Sequence, residues 1–145
     1  MYFMQIPKPS NALPEIKDAD FLDKHILIVD DEPINMMVTS KMLLARKAKI
    51  SKANNGYELL QLLDEGLEPD LILLDIKMPG LDGLSAIRKI KQQYPHLIVL
   101  AFTASFIDDE TETFLRENGF YASLSKAFKP AEFYSTIAEA LEATL

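Results

Sequence analysis

The chain has 145 residues, 48% of them apolar and 26% charged, the balance of an ordinary soluble fold with one domain and a short extension. With no cysteine there is neither a disulfide framework nor a thiolate metal site, and a net charge of -7 argues against a general nucleic-acid binder, whose phosphate contacts need a basic face. No apolar run approaches the roughly 18–20 residues of a membrane span, and Met1 to Ser10 lacks the basic-then-apolar order of a secretory signal.

Residues 1–24 carry Pro7, Pro9 and Pro14 among mixed charges and read as a linker or the remnant of a preceding domain. From residue 25 onward, apolar runs alternate with helical patterns. His25 to Asp30 is a first strand, its solid aliphatic run suited to burial on both faces. Pro33 opens a helix at its first turn, with Met36, Met37, Ser40, Leu43 and Leu44 as its inward stripe. Lys49 to Ala53 is a more polar, edge-like strand. Asn55 and Glu58 resemble a capping box ahead of a helix whose buried side is Leu59, Leu60, Leu62 and Leu63.

Asp70 to Asp75 is the next doubly buried strand, broken by Pro79-Gly80. Asp82 then caps a helix carrying Leu84, Ile87 and Ile90. Leu97 to Phe102 is a fourth strand, and Asp108 to Asn118 a helix closed by Gly119. Tyr121 to Ser125 is a last strand and Pro130 to Leu145 a last amphipathic helix. Strands alternating with helices imply an α/β fold with a parallel sheet covered on both faces. The expected architecture is the flavodoxin-like, doubly wound five-stranded sheet of order 2-1-3-4-5, with residues 25–145 as its domain.

In such a sheet the ligand crevice lies beyond the carboxyl ends of the strands, where strand order reverses. Asp30 and Asp31 follow the first strand and Asp75 ends the third, so three carboxylates are expected to converge there. Like charges that close resist joint ionisation, and a hard divalent cation such as Mg²⁺ relieves the repulsion. Each aspartate alone also reads as a turn former or cap, and Asp31 as a cap for the helix at Pro33. Thr103, ending the fourth strand beside the small Ala104, and Lys126, ending the fifth, complete the rim. A hydroxyl and an ammonium there suit a tetrahedral phosphoryl group. Together these parts describe phosphorylation of an aspartate, a reaction that needs positioning and charge neutralisation more than acid–base chemistry.

Leu27 to Pro33, Leu73 to Gly83, Phe102-Thr103-Ala104 and Leu124-Ser125-Lys126 resemble the receiver domain of two-component response regulators. The resemblance implies that Asp75 is the phosphoacceptor, that Asp31 binds Mg²⁺ directly and Asp30 often through water, and that the Lys77 carbonyl is a further ligand. It implies that Thr103 and Lys126 contact the phosphoryl group, and that the domain catalyses its own phosphorylation and dephosphorylation. The implied partner is a histidine kinase or a histidine phosphotransfer domain. His25 and His96 read as structural or solvated, so the donor is another protein or domain. Nucleic acid and membrane contact are not expected, and a cytoplasmic location is, with a parent that could be membrane-anchored. Tyr2 to Pro7 resembles the closing strand of a histidine-kinase ATP-binding domain, which would make this the C-terminal receiver of a hybrid histidine kinase; a simple tail is the other reading.

The chain departs from the family in two places. The family's lysine is normally followed by a cis proline, and here Ala127 follows Lys126. A cis bond before a residue other than proline costs about 2.5–4 kcal/mol, so a trans Lys126–Ala127 peptide is expected. The family's aromatic switch position holds Ser123, with Phe120 and Tyr121 nearby as core residues. A degenerate receiver acting as a phosphorylation-independent interaction module is therefore the alternative reading. A flavin carrier of the same fold is disfavoured because Asp30-Asp31-Glu32-Pro33 would repel a phosphate. An aspartate-nucleophile phosphatase would need an aspartate where Lys77 stands. Lys77 and Ser105 border the site and could shield a phosphoryl group from water.

Overall fold

Three runs of the chain are buried at every position: Ile26 to Val29, Leu71 to Leu74 and Val99 to Phe102. Successive side chains of a strand point to opposite faces, so runs of this kind require cover on both sides. The computed structural model, which describes residues 20–78, 80–104 and 107–143, supplies that cover. The expectations for Tyr2 to Pro7, Pro79 and Ser105 lie outside the described residues.

The strands are β1 (His25–Val29), β2 (Lys49–Ala53), β3 (Leu71–Asp75), β4 (Val99–Thr103) and β5 (Ala122–Ser125), all parallel, in the order β2-β1-β3-β4-β5. The helices are α1 (Pro33–Ala45), α2 (Gly56–Asp64), α3 (Gly83–Gln93), α4 (Asp109–Glu117) and α5 (Pro130–Glu142). Leu27, Val29, Ile72, Leu74 and Val99 face one side, where Leu59 and Leu63 of α2, Ile87 and Ile90 of α3 and Leu115 of α4 close over them. Ile26, Ile28, Leu71, Leu73, Leu100 and Phe102 face the other, under Met36 and Leu43 of α1 and Phe133, Ile137 and Leu141 of α5. Each large aliphatic so buried contributes roughly 1.5–3 kcal/mol. This is the flavodoxin-like order expected from the sequence.

Local chemistry sets the helix ends. Asn55 Oδ1 accepts the Glu58 amide at 2.8 Å, while Glu58 Oε1 reaches back to the amide of Asn54, one residue before the cap, at 2.7 Å. Asp82 caps α3 through the Ser85 amide and Asp108 caps α4 through the Thr111 amide. Gly119, at φ 110°, takes the left-handed conformation expected after α4.

The inward face of α1 differs from its expected stripe. Met36, Thr39, Ser40 and Leu43 are buried, whereas Met37 and Leu44 are 49% and 54% exposed. Apolar residues lie almost all round this helix, so their spacing does not fix which face turns inward. Nor does Asp31 cap α1: the cap residue is Glu32, whose own amide donates to Asp30 Oδ1 at 2.9 Å. At the amino end the folded unit takes in Phe21, which is 3% exposed and donates its amide to Arg46 O. Phe120 is buried in one core cluster, and Tyr121 packs against the other.

Candidate functional site

The parallel register pairs Val29 with Leu74, which brings the next residues, Asp30 and Asp75, abreast at the carboxyl end of the sheet. β1 and β3 are neighbours although β2 intervenes in sequence, so this is also where strand order reverses. Asp31 lies one residue further on, exposed, at the foot of α1. Asp30, Asp31 and Asp75 each offer one carboxylate oxygen, all within 4.8 Å of one another.

Lys126 completes the cluster from the far side. β5 lies two strands from β3, a span of about 10 Å at ordinary sheet spacing, and the side chain crosses the end of β4 to cover it. Its Nζ stands 3.0 Å from Asp75 Oδ2 and 3.1 Å from Asp30 Oδ2. Thr103, nearly buried at the end of β4, accepts the Lys126 backbone N–H on its carbonyl at 2.7 Å. The Lys77 amide donates to Asp75 Oδ1 at 3.2 Å. The sequence expectation concerned the Lys77 carbonyl; the contact given by the structure is through its N–H.

Gly83 lets α3 start against this rim. A Cβ there would stand 2.6 Å from Asp75 O and 2.7 Å from Ile76 Cα, too close for any side chain, and the Gly83 amide donates to Ile76 O. Any larger residue would push α3 away from the strand end that carries Asp75.

Burial makes Asp75 a poor place for a lone charge. Its carboxyl is pushed up to about 6, first by loss of water and further by the Asp30 carboxylate, against the lowering contacts of Lys126 and of the Lys77 amide. Lys126 is raised: burial opposes its charge, and the contacts to Asp75 and Asp30 outweigh that. Three carboxylates thus gather beside one ammonium, which pairs with the two buried ones, Asp30 and Asp75, and leaves the exposed Asp31 without it. An all-oxygen donor set of this kind fits a hard divalent cation, Mg²⁺ above all.

Some sequence expectations fall elsewhere. His25 sits at the opposite end of the sheet, its Nε2 2.6 Å from Ser51 Oγ, and His96 is exposed there too. Ser123 makes a short hydrogen bond to Glu112, which also holds Arg116 at 2.8 Å. The Lys126–Ala127 peptide is trans, as expected. Sequence reading missed two features beside the site. One is a stack of Phe128 on Phe102 and Phe133; the other is an exposed apolar stripe of Ile34, Met37, Val38 and Leu44 on α1. For the stripe the apolar residues were legible but not the face they take, since apolar residues lie almost all round α1.

Comparison with known proteins decides the family. The model of the response regulator receiver domain matches residues 26–138. The chain belongs to that family. This receiver is 34% identical over 125 residues to the sensor histidine kinase RcsC of Escherichia coli, a match covering 85% of this chain and 13% of that protein. It is 32% identical to the polar-differentiation response regulator DivK of Brucella anthropi, covering 80% of this chain and 94% of DivK. The chain therefore spans about an eighth of the sensor kinase and nearly all of the small regulator. Among solved structures, a CheY-like receiver domain protein from Methanospirillum hungatei superposes with a TM-score of 0.74 at 26% identity, over 83% of this chain and 95% of that one. The receiver domain of a Pseudomonas aeruginosa sensor histidine kinase, solved with a magnesium ion in its active-site cleft, superposes at 0.73 with 30% identity, over 82% and 98%. Two-component signalling, with a histidine kinase or phosphotransfer protein on the other side of the exchange, is the setting of this family. No helix among the described residues is long and apolar enough to cross a membrane.

Proposed function

We propose that this receiver accepts a phosphoryl group from a phosphohistidine onto Asp75, with Mg²⁺ held by Asp30, Asp31, Asp75 and the Lys77 carbonyl. The observation that carries the reading is the ammonium of Lys126 poised 3.0 and 3.1 Å from two buried aspartates beside a third, exposed one. A structural salt bridge would need one carboxylate for one lysine; this rim carries an excess of carboxylate that a divalent cation would balance.

An oxygen of Asp75 attacks phosphorus in line with the bond to the donor nitrogen. The P–N bond breaks as the P–O bond forms, and the donor imidazole leaves with the bond pair, neutral when its other ring nitrogen carries a proton. No proton is required from this chain. Lys126 moves from pairing with Asp75 to pairing with the transferred oxygens, keeping Asp30 as its fixed partner. The Thr103 hydroxyl holds another phosphoryl oxygen, and the Lys77 amide keeps Asp75 Oδ1 oriented. Bound Mg²⁺ supplies Lewis-acid charge neutralisation.

The donor has to touch Asp75, so it also covers the surface around the crevice. The α1 stripe begins one turn from Asp31, and Ile34 and Val38 are 69% and 43% exposed. A donor presenting its histidine on an amphipathic helix would bury that stripe. Mg²⁺-dependent labelling by acetyl phosphate tests the central reading: label is expected on the wild type and none on Asp75→Asn. An unlabelled wild type would leave the phosphorylation-independent module as the better account.

A further inference from the structure

Lys126 has to be aimed. Its side chain spans the ends of two strands from a short β5, and the residue after it is Ala127, whose peptide bond has no ring to fix it. Three contacts restrain this turn. The Lys126 N–H donates to Thr103 O at 2.7 Å, extending the β4–β5 pairing one residue past the strand. The Ala127 N–H donates to Ser125 Oγ at 3.1 Å, closing a side-chain turn around Lys126. Phe128 folds back onto the core, stacked between Phe133 of α5 at 4.7 Å and Phe102 of β4 at 6.1 Å between ring centroids. Phe102 in turn lies with its centroid 5.8 Å from the Lys126 ammonium.

The turn is therefore clamped on both sides of Lys126, by a hydroxyl before it and an aromatic plug after it. The plug rests on the same Phe102 ring that the ammonium faces. We infer that Phe128 and Ser125 are positioning residues for phosphoryl transfer, doing through side chains what a rigid residue after the lysine would do through the backbone. The inference rests on the proposed role of Lys126. Neither residue need touch the phosphoryl group: each fixes the backbone from which the ammonium reaches Asp30 and Asp75. Phe128 loses its plug when it becomes alanine, and the turn relaxes into the space. An ammonium displaced by about 1 Å costs up to about a hundredfold in rate.

Acetyl phosphate labelling, Mg²⁺ titration calorimetry and thermal melting of Phe128→Ala, Phe128→Leu, Phe128→Tyr, Ser125→Ala and Ser125→Thr test it. The expected pattern is a labelling rate lowered on the order of tenfold or more in Phe128→Ala and severalfold in Ser125→Ala. Phe128→Tyr and Ser125→Thr should recover it, and Mg²⁺ affinity should stay within about twofold, because the aspartates are untouched. In a Lys126→Ala background, Phe128→Ala should cost almost nothing more, since its effect passes through the missing ammonium. A wild-type rate in Phe128→Ala, losses that add to those of Lys126→Ala, or Mg²⁺ affinity falling in step with rate would overturn the inference. Should Phe128→Ala not fold, Phe128→Leu, which keeps an apolar side chain there but not the stack, and Ser125→Ala carry the same comparisons. Absence of label on the wild type would instead overturn the phosphoacceptor reading itself.

Discussion

The two ends of the sheet carry polar groups of similar kind in opposite states. At the amino end, Asp70 Oδ2 accepts the His25 amide at 2.8 Å and His25 Nε2 meets Ser51 Oγ at 2.6 Å. Each of these groups is answered by a neighbour. At the carboxyl end, two buried aspartates share a single ammonium and an exposed third stands beside them. Both ends are built from strand-terminal side chains, yet among the described residues only the second gathers three carboxylates at one point. Satisfied polar groups fix strand ends, whereas uncompensated buried charge marks a place that awaits a ligand.

Removing the ammonium should break the contrast most completely. Lys126→Ala leaves Asp30 and Asp75 facing each other without a counter-charge and takes away the group proposed to follow the phosphoryl oxygens. Labelling by acetyl phosphate should fall on the order of a hundredfold, as when one preorganised charge partner is lost from an active site. Mg²⁺ should still bind, and calorimetry separates this loss from loss of the metal. A rate within a few fold of wild type would mean that Lys126 is only a structural partner of Asp30.

The second effect is one of stability. With its folded pKa raised to about 6 from an ordinary 3.8, Asp75 binds its proton more tightly in the folded state. Stability from this group is present below the unfolded value and is lost as pH rises through about 6. Without Mg²⁺, Asp75→Asn should then be more stable than wild type at pH 7, by about 1–3 kcal/mol in urea melts, and the gap should close near pH 4. Mg²⁺ should stabilise the wild type and act weakly on the variant. An unchanged gap across that pH range would show that the carboxyl ionises as easily as in water.

Smaller still, and confined to one assay, is the effect of the α1 stripe. Val38→Asp or Ile34→Glu should leave acetyl phosphate labelling intact, because neither side chain joins the rim. Transfer from a phosphohistidine donor protein should drop severalfold to tenfold, the cost of putting a charge into an apolar contact. Equal losses with both donors would place the defect in the fold rather than in docking.

Much of this was legible in the sequence, for a physical reason. Solid aliphatic runs ending in aspartate at residues 30 and 75 specify doubly covered strands and the end at which their charges emerge. Parallel topology then brings the carboxylates together without any detail of packing. The face of α1 was legible only in part: Met36, Ser40 and Leu43 are buried as expected, but with apolar residues nearly all round the helix, the choice of Thr39 over Met37 and Leu44 is decided by the neighbouring elements. The Asp30–Lys126 contact and the Phe102–Phe128–Phe133 stack depend on side-chain reach across the sheet, which spacing along the chain does not encode.

The amino end provides the control. His25 has a pKa below its ordinary value, first because burial disfavours the imidazolium, then because Lys49 is near, with Asp70 pulling the other way. A histidine that resists protonation when folded contributes stability at neutral pH and loses it as pH falls through 6.5. His25→Gln, which keeps a polar partner for Ser51, should flatten the decline in stability between about pH 7 and 5. Ser51→Ala should cost about 1 kcal/mol, the worth of one hydrogen bond. Neither should change labelling of Asp75 at pH 7.5, because the five residues of each strand keep the two ends about 17 Å apart. Urea melts across that pH range, with labelling run in parallel, check both halves. A labelling rate that follows His25 would mean that the two ends communicate, and that the division between a satisfied end and a charged one is not the one that matters.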